Sequence, residues 1–117
     1  QQTRFRHGPV DLKLNSHPLT EGLGGTLSIL DETYWNLIGD PARVQLLATG
    51  VEDGEARPQM WTRTQGKGRV FVALPGHYTW TFDDPIFRGL ALRGLCWAGG
   101  QPMDRLAELA VIGARME

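Results

Sequence analysis

The run Arg69-Val70-Phe71-Val72-Ala73-Leu74, closed by Pro75-Gly76-His77, constrains this chain more than any other segment. It is nearly continuous in apolar side chains and rich in β-branched and aromatic ones, the pattern of a central strand covered on both faces. Asp84-Pro85 then supplies an N-cap and an N1 proline. Ile86, Phe87, Leu90, Ala91, Leu95 and Ala98 follow at helical spacing until Gly99-Gly100 stops the helix. Gly89 and Gly94 inside this helix each cost roughly 1 kcal/mol against Ala, so close backbone packing is expected there. One helix cannot cover both faces of a sheet, which leaves self-association or an absent amino-terminal half to supply the remaining layer.

The segments before the apolar run predict a meander. Arg43 to Thr49 and Gln59 to Thr64 form two strands joined by a turn at Glu52-Asp53-Gly54-Glu55, and Gly66-Lys67-Gly68 turns the chain into the apolar run. Earlier still, Pro9-Val10-Asp11-Leu12-Lys13-Leu14 alternates as a half-buried strand does, whereas residues 1–8 are charged and irregular. Asn15-Ser16-His17-Pro18 is a turn, and Gly22, Gly24 and Gly25 extend it as a loop. From Thr26 to Ile38 the pattern fits a strand as well as a helical turn. Met103 to Met116 gives a weaker amphipathic stretch.

Composition narrows the function classes. Among 117 residues, 12 Lys plus Arg balance 13 Asp plus Glu for a net charge of -1, so no broad field draws nucleic acid or an anionic membrane surface. No apolar stretch approaches the roughly 18 residues of a membrane span, and Gln1 to Arg6 has neither Met nor an apolar signal core. The start and the element order together lead us to expect the second half of something longer. A single cysteine excludes an internal disulfide framework.

His77 is the leading candidate for chemistry, because it directly follows the apolar strand and ligands gather at the carboxyl ends of strands in open α/β sheets. The alternative is a loop histidine bonded to nearby backbone. His17, in a His-Pro turn, is a weaker candidate, and His7 looks like a surface residue. Asp31-Glu32 is a carboxylate pair beside Tyr34 and Trp35; adjacent strand residues point to opposite faces, so at most one faces a given pocket. Tyr78, Trp80 and Phe82 form an aromatic platform for a sugar ring or an apolar ligand, or else Trp80 and Phe82 pin the loop onto the following helix.

Other motifs fall away. Gly66-Lys67-Gly68-Arg69 precedes a strand rather than a helix, which fits a hairpin and not a phosphate loop. Cys96 sits late in the helix as a core residue, and neither Ser16 nor Ser28 occupies a nucleophile elbow, so no nucleophilic triad assembles. A metal-assisted hydrolase would need His17, His77 and Glu32 to converge on one point.

His17-Pro18-Leu19-Thr20-Glu21-Gly22-Leu23, Asp31-Glu32-Thr33-Tyr34, Trp61-Thr62-Arg63, Gly66-Lys67-Gly68-Arg69-Val70-Phe71, Gly76-His77 and Asp84-Pro85-Ile86-Phe87-Arg88 occur in an order and spacing that resemble the carboxyl-terminal half of a ThuA-like (trehalose utilisation) domain. With Leu92-Arg93-Gly94-Leu95-Cys96-Trp97-Ala98 the likeness covers residues 7–98, and the tail, 99–117, is similar to the ending of such proteins. The resemblance implies an α/β fold like that of class I glutamine amidotransferases, a flavodoxin-like three-layer sandwich. This chain would supply its carboxyl-terminal strands and helix. The family usually lacks the amidotransferase cysteine, and no His-Pro-Glu signature lies near His77, so glutaminase activity is not expected. Tyr78 stands where many relatives carry Asp.

The expected function is therefore carbohydrate metabolism, with a disaccharide or keto-sugar bound near His77 by Glu32, Tyr34, Tyr78, Trp80 and His17, and with no cofactor. The rival expectation is a non-catalytic sugar-binding or assembly module that partners an oxidoreductase or a glycoside-cleaving enzyme.

Overall fold

The computed structural model describes residues 2–110. Five strands, β1 (Arg4–Leu14), β2 (Thr26–Trp35), β3 (Gln45–Glu52), β4 (Glu55–Gln65) and β5 (Gly68–Ala73), precede one long helix, α1 (Pro85–Ala98). Short 3₁₀ turns occupy Pro18–Thr20, Pro41–Arg43 and Thr79–Asp83. The strands form one curled antiparallel sheet in the order β2-β1-β3-β4-β5. The α/β expectation holds at this level. The three-layer sandwich is not found among the described residues, where every strand pairing is antiparallel and α1 covers one face.

The alternation in β1 does what its period dictates. Val10, Leu12 and Leu14 are buried, while Asp11 and Lys13 between them face solvent. The strand nevertheless begins at Arg4, not at Pro9, because β2 pairs with it from Arg4↔Trp35 to Lys13↔Thr26. That ladder satisfies the backbone of residues 4–8, whose side chains bury no apolar face. The ambiguous segment beyond Thr26 resolves the same way, as one continuous strand partnered along its length. Asp53 and Gly54, at φ 53° and 76°, make the primed turn between β3 and β4 that matches strand twist.

The inner face of the curl carries Val10, Leu12, Leu27, Leu47, Ala48 and Met60, and α1 places Phe87 and Leu90 onto it. Asp84 caps the helix by accepting from the N–H groups of Ile86 and Phe87, both at 2.9 Å. Gly94 has the close packing its position predicts: a Cβ there would lie 2.4 Å from the Phe71 ring. Gly89 does not, since its nearest neighbour is Leu23 at an ordinary 3.9 Å. Cys96 is buried in the core, as expected. Part of the weak stretch after Met103 is helical, at 107–110, and its remainder lies outside the described residues.

One expectation is corrected. The apolar run 69–74 is not a central strand. Tight turns stack β3, β4 and β5 in chain order, so β5 falls at the sheet edge with Phe71 and Ala73 packed inward and Val70 40% exposed. Val72, opposite Trp61 on β4, shares that outer face with Val70. No helix among the described residues is long and apolar enough to cross a membrane.

The opposite edge is partnered around Tyr34. Gln59 of β4 is fully buried; its amide donates to the Tyr34 carbonyl at 2.7 Å and accepts from the Tyr34 N–H at 3.2 Å, the two bonds a neighbouring strand would make. Beyond β5 the chain crosses to β2, where the Trp80 indole N–H donates to the Leu30 carbonyl at 2.7 Å. This crossing builds the site.

Candidate functional site

Alternation along β2 turns Asp31 inward and Glu32 outward, as expected for neighbours on a strand. The loop after β5 defeats the inference that only one of them can serve a site, because it wraps the edge of β2 and reaches both faces. Gly76 takes φ +124°, and its N–H donates to Asp31 Oδ2 at 3.0 Å; a Cβ there would meet the Phe82 ring at 3.3 Å. The N–H of His77 and the hydroxyl of Thr81 also donate to Asp31, and the Glu32 N–H does so at 2.7 Å.

These bonds decide the charge on Asp31. Burial, the largest influence, opposes ionisation, but the Thr81 hydroxyl and the N–H groups of Glu32, Gly76 and His77 together outweigh it and hold the pKa below the ordinary aspartate value. The carboxylate is then an acceptor only, so His77 Nδ1, 3.1 Å from Asp31 Oδ1, carries a proton. The ring is thereby fixed with Nε2 directed outward, 3.3 Å from the Tyr34 hydroxyl.

On the outer face Glu32 gathers two phenols. Tyr34 donates to Oε1 at 2.7 Å and Tyr78 to Oε2 at 3.1 Å. The Tyr34 bond is the main reason the Glu32 pKa is lowered, against a smaller opposing effect of burial, with Tyr78 and the nearby imidazoles His77 and His7 adding to it. Reciprocally, Glu32 is the chief reason that the Tyr34 pKa is raised, while burial and then Glu32 raise that of Tyr78. The phenols therefore stay protonated and donate at neutral pH.

Aromatic rings surround this carboxylate. Tyr34 stacks on His77 with centroids 5.4 Å apart and on Phe5 at 5.8 Å, and Tyr78 stacks nearly parallel on Trp80 at 4.4 Å and 6°. Trp80 remains 48% exposed. The pin alternative belongs to Phe82, which packs edge-on against Phe87 of α1 at 5.2 Å.

His77, Glu32, Tyr34, Tyr78 and Trp80 are thus brought together. His17 is not. It caps the first 3₁₀ turn, with Nδ1 accepting from the Leu19 N–H at 3.0 Å and Nε2 3.1 Å from Gln45 Oε1. Open clefts of about 600 and 660 Å³ flank His17, and none of their lining residues belongs to the His77 group. The three-ligand metal arrangement fails on the same ground: His17, His77 and Glu32 do not converge, and no group of three such side chains among the described residues could hold a metal ion.

Two residues of the cluster are not legible as such in the sequence. Asp31 was visible as half of a carboxylate pair, but only the loop crossing shows that the buried member anchors His77. His7 is exposed, as expected, and what the sequence does not show is its register: it lies opposite Glu32, and its ring meets Tyr78 edge-on at 5.2 Å.

No curated protein and no solved structure matches the chain. A family model does: the one described as trehalose utilisation, ThuA, matches residues 2–98, a span that holds every residue of this cluster. By that match, and with the His77 loop and the Asp31-Glu32 strand inside it, the chain belongs to the ThuA family.

Proposed function

We propose that the outer face of β1 and β2 binds a sugar of the trehalose class, a disaccharide or its keto form, and that His77 exchanges a proton with one of its oxygens. The observation that carries this reading is the cluster in which Asp31 holds His77 Nδ1, Tyr34 and Tyr78 both donate to Glu32, and Nε2 of His77 faces the Tyr34 oxygen at 3.3 Å, beside the stacked Tyr78 and Trp80 rings. Its parts have complementary uses. Trp80 offers an apolar face to a sugar ring, and Glu32 accepts from its hydroxyls. His77, held by Asp31 through Nδ1, presents Nε2 as the atom that gives or takes a proton. Tyr34, between Nε2 and Glu32, is the group a ligand hydroxyl displaces or joins. His17 has no part in this reading.

Calorimetric titration with trehalose and with its keto derivative tests it. Trp80→Ala is expected to weaken binding by about tenfold, equivalent to ~1.4 kcal/mol. Unchanged affinity in a folded Trp80→Ala protein would remove the platform from the site.

The same family placement supports a finer proposal about architecture. We infer that this chain is the carboxyl-terminal part of a flavodoxin-like domain, related to class I glutamine amidotransferases, whose remaining layer packs on the outer face of β4 and β5. Trp61, Val70 and Val72 line that face, where Val70 is 40% exposed, Trp61 and Val72 are half-buried, and none of the three joins the core under α1. Expressed as it stands, the chain is expected to self-associate. A strictly monomeric species that unfolds cooperatively, by sedimentation and calorimetry, would contradict the inference.

A further inference from the structure

The three histidines differ in what their ring nitrogens do. Both nitrogens of His17 are engaged, by the Leu19 N–H and Gln45; Nδ1 of His77 is engaged by Asp31, and its Nε2 faces the Tyr34 oxygen at 3.3 Å. His7 is exposed, and among the described residues neither of its nitrogens has a protein partner. Its place is nonetheless well defined. It pairs with Glu32 in the β1–β2 register and packs its ring edge-on against Tyr78 at 5.2 Å and 74°. Side chains directly opposed on neighbouring strands have Cβ atoms about 5 Å apart and share one side of the sheet. Glu32 in turn is only half used: its two oxygens offer about four acceptor positions, and the tyrosine hydroxyls fill two.

We propose that His7 is a ligand-contacting residue of this site, its free imidazole bonding a sugar hydroxyl beside the one that Glu32 accepts. The proposal rests on the sugar-binding reading above. It follows from accessibility: Nε2 of His77 has the Tyr34 oxygen 3.3 Å away, whereas both nitrogens of the exposed His7 are open to a ligand. A neutral imidazole does both, which suits a hydroxyl that itself does both. The edge contact with Tyr78, whose own ring stacks on Trp80, keeps the ring beside Glu32.

The test separates the ring's packing from its nitrogens. His7→Phe retains an aromatic edge against Tyr78 but can bond no hydroxyl, and His7→Ala loses both. In calorimetric titrations with trehalose, both variants are expected to bind about tenfold more weakly than the wild type while keeping its circular dichroism. If His7→Phe binds within twofold of the wild type while Trp80→Ala still weakens binding, His7 has no polar role and this proposal falls, leaving the sugar site intact. If trehalose neither binds the wild type nor moves the His77 ring resonances, the site reading and the proposal fall together.

Discussion

His77→Asn is expected to lower turnover of a sugar substrate by about 100-fold or more while leaving the fold intact. Asn keeps hydrogen-bonding capacity but cannot exchange a proton near neutral pH, so the variant removes the chemistry and preserves much of the contact. The structure sharpens this expectation. Because Asp31 holds the Nδ1 proton, the proposed proton exchange falls on Nε2, and a substitution that mimics only Nδ1–H lacks the atom that proposal requires. The same variant separates the two classes of function. An enzyme loses turnover, whereas a binding module that supports an oxidoreductase or a glycoside-cleaving partner loses only affinity. Turnover and calorimetric binding should be measured together on trehalose and its keto form. If His77→Asn alters neither, His77 is a loop-ordering residue.

Asp31→Ala is expected to have the largest effect on stability. The carboxylate is fully buried and accepts from the Thr81 hydroxyl, three backbone N–H groups and His77 Nδ1, thereby tying the loop after β5 to β2. Each buried donor left without a partner costs about 1–3 kcal/mol, so a loss of about 3 kcal/mol or more is expected in urea unfolding. That is a large share of a small domain's margin of roughly 5–15 kcal/mol.

Its pH dependence has a definite sign. The folded-state pKa of Asp31 lies below the ordinary value of 3.8, so its contribution is complete above that value and is lost as pH falls from there through the folded pKa. The wild type should therefore exceed Asp31→Asn by a constant margin from neutral pH down to the ordinary aspartate range, and by a shrinking one below it. A margin that stays flat into strong acid would show that the Asp31 charge plays no part in holding the loop.

The local rules in the sequence specified a large part of this molecule. Alternation placed Val10, Leu12 and Leu14 in the core, Asp53-Gly54 made the hairpin turn, Asp84-Pro85 opened α1 and Gly99 closed it, and Gly94 marked where Phe71 approaches the helix. Each depends on neighbours in the chain or on one periodic face, which is why a single sequence carries it. The same holds for His77 and the aromatic loop as candidate site residues.

Tertiary structure decided what depends on partners distant in sequence. Strand pairing extended β1 back to Arg4 and thereby set His7 opposite Glu32. Sheet order moved the most apolar strand to an edge, an outcome that hydrophobicity alone cannot distinguish from a central position, because it records how much a strand can bury and not which layers are present to bury it. The loop crossing after β5 joined Asp31 on one face of β2 to Tyr34 and Glu32 on the other through the ring of His77, a contact spanning 46 residues. The same crossing left His17 apart, since its ring caps a turn on a different connection. The sequence determined which groups were available, and long-range closure of the chain selected those that meet.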